Sequence, residues 1–138
     1  MLSTFANEAA GFSVALGIGA LSGIERERSK GDGADRGPAG LRTFLLIALA
    51  GALAQRLGDV GMAVGGGFVV LAALASYRAT RRRDPGLTTE VAMLVVFFLG
   101  LLAMESPPVA AALGVVVALV LAGKSPLHRF TRQTLTAQ

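Results

Sequence analysis

Residues 60–77 read VGMAVGGGFVVLAALASY, 18 consecutive residues without a charge. A helix of that length is about 27 Å long, close to the hydrocarbon thickness of a bilayer. A helix that faces water on one side keeps polar residues there, and this stretch holds only Ser76 and Tyr77, both at its end. Two further charge-free runs follow the same pattern, 16 residues at 9–24 and 18 residues at 106–123. Over all 138 residues 53% are apolar and 16% charged, against about 25% charged in a soluble domain. The mean hydropathy is +0.61. The reading that follows is an all-α integral membrane protein, a single transmembrane domain over 1–138 solvated by membrane lipid.

Working outward, five apolar segments are expected to span: 9–24, 41–54, 60–77, 87–104 and 107–123. A count of four results if one segment is re-entrant or interfacial. Pro38 and Pro85 stand just ahead of the second and fourth segments, where proline presets φ and costs no helical hydrogen bond. Of the 13 Lys and Arg residues, 12 fall in the first and third connections, at Arg42 and in the tail, and only Arg56 lies on the other side. The positive-inside rule then places the N-terminus outside and the C-terminus in the cytoplasm. The Arg81-Arg82-Arg83 cluster reads as an anchor at anionic headgroups. It has no aromatic platform beside it, so nucleic acid is not an expected partner.

Small residues recur every fourth position in three segments: Gly11, Ala15, Gly19 and Gly23; Gly61 and Gly65; Ala110, Gly114, Ala118 and Ala122. Such stripes let helix backbones approach closely in lipid. They are expected to serve helix packing, a homodimer face, or both. A dinucleotide loop at Gly17, Gly19 and Gly23 is excluded by its spacing and by the lack of a preceding strand. Gly40-Leu41-Arg42-Thr43 and Gly86-Leu87-Thr88-Thr89 open the second and fourth segments 46 residues apart. They suggest two hairpins in parallel repeat plus a fifth helix.

Polar groups at the basic ends of the spans are the candidates for chemistry: Glu25, Arg26, Arg42, Thr43, Thr88, Thr89 and Glu90. A carboxylate facing hydrocarbon costs several kcal/mol, so Glu90 is expected to face protein or water. With Glu25 and the threonine hydroxyls it would form the inner end of a cation site or pathway. Magnesium suits such a site as ligand or substrate, because it keeps most of its waters and needs one or two carboxylates. The plainer alternatives are that Glu90 complements a helix dipole, that Thr88 and Thr89 are caps, and that Glu25 pairs with Arg42. Glu8, Asp59 and Glu105 are expected to be solvated on the opposite face. The chain has no cysteine and one histidine, His128, which excludes thiolate chemistry and a histidine-rich zinc site. No cofactor and no enzymatic activity are expected.

Gly19-Ala20-Leu21-Ser22-Gly23-Ile24-Glu25-Arg26-Glu27, followed by Gly40-Leu41-Arg42-Thr43, resembles the N-terminal membrane domain of the MgtC/SapB family. Leu87-Thr88-Thr89-Glu90-Val91-Ala92 and Pro126-Leu127-His128-Arg129-Phe130 are similar to a longer branch of that family, in which a second membrane region follows. The chain is accordingly expected to be either a short member or the N-terminal part of a longer one. The resemblance implies a bacterial inner-membrane protein linked to magnesium homeostasis, with Glu25, Arg26, Arg42, Thr43, Thr88, Thr89 and Glu90 at motif positions. Two functions are then expected to compete. One is an ion transporter or channel component; the other is a regulator that binds another membrane protein through small-residue helix faces.

Overall fold

The computed structural model describes residues 1–30, 39–83 and 86–123. Pro38, Pro85, His128 and the basic residues Arg36, Lys124, Arg129 and Arg132, with the expectations that rest on them, lie outside these. The described residues form four helices: α1 (Leu2–Lys30), α2 (Leu41–Thr80), α3 (Thr88–Glu105) and α4 (Pro107–Ala122). Four helices thus stand where five segments are expected. The reason lies at Gly58, which interrupts α2 with φ 74° and ψ −160°. A positive φ of this size is open to glycine and strained for residues with a Cβ.

Around Gly58 the two arms of α2 fold back on each other. In a straight helix Ala54 and Gly65 would stand about 16 Å apart, yet a Cβ at Gly65 would lie 3.5 Å from that of Ala54. Hydrogen bonds at the far ends agree. Leu41 bonds to Glu27 of α1 and Ser76 to Glu90 of α3, while Gln55 bonds to Glu105 at the other end of α3. The helices therefore alternate in direction. The first arm of α2 runs parallel to α3, and α4 returns antiparallel to α3 after a single non-helical residue, Ser106. Pro107 then opens α4 at a position where its missing N–H costs nothing.

Glycine sets the spacing between these helices. Gly51 of α2 sits against the carbonyl of Phe97, and Gly100 of α3 sits against the carbonyl of Ala48. Each glycine faces the carbonyl three residues before the other, a reciprocal contact close to two-fold symmetry. A Cβ at either position would overlap backbone. The stripe on α1 also lies inside the bundle. Gly11 meets Ala103 and Met104, Gly19 meets Phe44 and Leu45, and Gly23 meets Leu41, while Ala15 is fully buried. Gly114 receives the Ile18 side chain, and Gly65 lies on the ring of Phe97. Ala110 and Ala118 are buried with them, Ala122 is half-buried, and Gly61 packs within the α2 turn against Leu57 and Ala54.

The core is small and the outside is greasy. Phe44, Val96 and Phe97 are buried, while Leu46, Leu57, Val64, Phe68, Leu119 and Val120 stand exposed. α2 and α3 are long and apolar enough to cross a membrane, and only 11% of the most apolar stretch of α2 is buried. A core helix of a soluble protein would be largely covered by its neighbours. An apolar surface this extensive suits lipid rather than water.

Candidate functional site

The buried polar residues gather at one end of the bundle. Arg26, in the last turns of α1, is only 4% exposed, and Thr89 and Glu90, in the first turn of α3, are 8% and 6% exposed. Arg26 Nη2 donates to Thr89 Oγ1. On the neighbouring face of α3, Glu90 Oε1 accepts from Ser76 Oγ at 3.0 Å. Successive residues on a helix point about 100° apart, so Thr89 addresses α1 while Glu90 addresses the second arm of α2. One seam thereby ties three helices through two polar contacts. Glu90 Oε2 is buried and has no hydrogen-bond partner among the described residues, as is Ser22 Oγ one turn deeper than Arg26.

The remaining polar residues at this end are less buried. Glu25 is half-buried and pairs with Arg28, one turn on, at 3.5 Å. The expected Glu25–Arg42 pair does not form, because the i, i+3 partner on the same helix is nearer and Arg42 is exposed. Glu27 makes the link between α1 and α2 instead, its Oε1 accepting from the Leu41 N–H at 3.0 Å. This satisfies an N–H that a helix start leaves open, where a carboxylate is also favoured by the helix dipole. Thr43 is half-buried and Thr88 is exposed. No side chain caps the start of α3, so Thr88 is not its cap, and Thr89 spends its hydroxyl on Arg26.

Glu25 and Glu90 do not belong to a ready-made metal cluster. Among the described residues no three His, Cys, Asp or Glu side chains converge. The oxygens that meet there are the two of Glu90 and the hydroxyl of Ser76, while the Thr89 hydroxyl is held on the α1 side by Arg26. Such a set could hold a cation that keeps most of its own water. Reading the sequence missed Ser76 and Ser22, which look like minor interruptions of apolar spans. It also missed Gly51 and Gly100, which belong to no four-residue stripe.

The sequence matches the MgtC family over residues 12–130. The chain belongs to the MgtC family. No curated protein and no solved structure matches it. The matched region of this MgtC-family chain takes in α1 from Phe12 onward and all of α2, α3 and α4, so Arg26, Ser76, Thr89 and Glu90 all lie within it. Membership and the apolar helices together make the chain a membrane protein, consistent with a link to magnesium homeostasis.

Proposed function

We propose that the chain is a multi-pass protein of the bacterial inner membrane that serves magnesium homeostasis through a cation site at the basic end of its bundle. In this reading the two arms of α2 are separate crossings, which with α1, α3 and α4 makes five. The N-terminus is then outside and the C-terminus cytoplasmic. One observation carries the proposal: Glu90 is 6% exposed and has one oxygen bonded to Ser76 while the other has no partner among the described residues. Ionisable residues inside a membrane are costly and commonly mark ion or substrate sites. The experiment is magnesium-dependent thermal stabilisation and flux with reconstituted protein. Wild type should gain stability with magnesium, and Glu90→Gln should stay folded and lose that gain, because glutamine keeps an acceptor for Ser76. If wild type neither binds nor moves magnesium and Glu90→Gln changes nothing, the proposal fails.

A second reading, a regulator of another membrane protein, draws on the Gly51–Gly100 contact. Backbone meets backbone there, so the seam between α2 and α3 is closed above the polar site. A closed bundle suits a protein that signals to a partner. The stripe residues Gly19 and Gly114 face inward, so a small-residue docking face must use outward positions. Ala63 and Gly67, exposed and four residues apart on α2, form such a pair, and a Cβ at Gly67 would meet open space. Under this reading Gly67→Leu abolishes co-purification of a partner protein or dissociates a homodimer. Unchanged association counts against it.

A further inference from the structure

Polar side chains stand at both ends of the helices that face the apolar exterior, and their spacing measures the belt between them. Arg42 and Arg56, both exposed, bracket the first arm of α2 and lie about 21 Å apart along its axis. Asp59 and Arg78 bracket the second arm at about 28 Å, and Thr88 and Glu105 bracket α3 at about 26 Å. The 16 residues of α4 rise about 24 Å. Exposed apolar residues fill these intervals: Leu46 and Leu53, Val64 and Phe68, Val91 and Phe98, Val116 and Leu119. The belt averages about 25 Å, whereas the hydrocarbon of a typical bilayer is about 30 Å thick. Any tilt of the bundle shortens the belt further.

Short helices commonly meet such a deficit by extending long side chains toward the headgroups or by shifting along their neighbours. At the end away from the buried polar seam the long side chains are engaged across the bundle instead. Arg56 pairs with Glu8 at 2.7 Å and Glu105 accepts from Gln55 at 2.7 Å, which sets α1, the first arm of α2 and α3 at one level. In mid-bundle Gly51 and Gly100 each sit on the other helix's backbone, so the first arm and α3 cannot slide past one another. Among the described elements α1 alone runs on beyond this level, with Leu2 and Phe5 exposed. We infer that the bundle fits a bilayer whose hydrocarbon is about 25 Å thick, draws phospholipids with short acyl chains around itself, and thins a thicker membrane at its edge. The belt selects chain length and not headgroup. The inference rests on the reading of the two arms of α2 as separate crossings, and it requires neither magnesium nor any role for Glu90.

The test reconstitutes the full chain in vesicles of monounsaturated phosphatidylcholine with chains of fourteen, sixteen, eighteen, twenty or twenty-two carbons. Thermal unfolding is followed by circular dichroism. Wild type should be most stable with fourteen or sixteen carbons and unfold about 5 °C or more lower with twenty-two. A flat profile, or a maximum at eighteen carbons or beyond, overturns the inference without recourse to any variant. The double variant Glu8→Leu, Arg56→Leu carries the belt on to Asp59 and should move the maximum toward longer chains. A folded double variant with an unmoved maximum also overturns it. Single cysteines placed at Asp59 and Arg82 and labelled from either side of the same vesicles report the crossing separately. Labelling from the same side sinks the crossing reading and this inference with it, whereas labelling from opposite sides with a flat profile sinks this inference alone.

Discussion

The two ends of the bundle use similar residue types in opposite ways. At the end away from the buried polar seam Glu8 pairs with Arg56 at 2.7 Å and Gln55 donates to Glu105 at 2.7 Å. The side chains of Glu8 and Arg56 are 33% and 55% exposed. At the basic end Arg26, Thr89, Ser76 and Glu90 are all under 9% exposed. Water screens the first set, so its pairs are each worth about 0–1 kcal/mol. Around the second set water is replaced by packed helices, and an unmatched group there carries a desolvation penalty. Good hydrogen-bond geometry at the exposed end therefore contributes little, whereas the basic end depends on every member.

That contrast can be broken, and the largest effect should come from Arg26. Replacing it by leucine strands Thr89 and removes a buried guanidinium that joins α1 to α3; we expect a loss of about 3 kcal/mol, the upper end for a hydrogen bond to a charged group, read as thermal unfolding in detergent. Next is Ser76→Ala, which leaves Glu90 Oε1 without its donor. It should cost about 1–3 kcal/mol, and Ser76→Thr should recover part of that loss. The smallest effect is expected at the exposed end, where Glu8→Gln should change stability by less than about 1 kcal/mol. Raising salt should shrink the Glu8→Gln effect further and leave that of Arg26→Leu nearly intact. A comparable loss from Glu8→Gln and Arg26→Leu would erase the distinction.

Much of the fold was legible because lipid imposes a simple requirement. A span must be apolar over a set length, so 87–104 anticipates α3 (Thr88–Glu105) closely. The same rule placed the break between 54 and 60, where Gly58 adopts its positive φ. It failed at the ends of α1, expected at 9–24 but running Leu2–Lys30, since hydropathy reports lipid depth while backbone hydrogen bonding carries the helix onward. The site was legible in part. Arg26, Thr89 and Glu90 stood out as polar groups at span ends, but which of their neighbours would meet them depends on helix rotation. Glu25 illustrates this: it looked toward Arg42 in sequence, yet Glu27, two residues on, is the one that reaches Leu41. Ser76 could be assigned only once the second arm of α2 was laid beside α3.

Because α2 doubles back at Gly58, the buried polar seam gathers at one end of the bundle and Glu8, Asp59 and Glu105 lie at the other. The chain has no cysteine, so single cysteines can be introduced at Arg28, Asp59, Arg82 and Glu105 and labelled from either side of sealed vesicles without background. Arg28→Cys and Arg82→Cys should react from one side, and Asp59→Cys and Glu105→Cys from the other. Labelling of Asp59→Cys and Arg82→Cys from the same side would mean that α2 does not double back at Gly58.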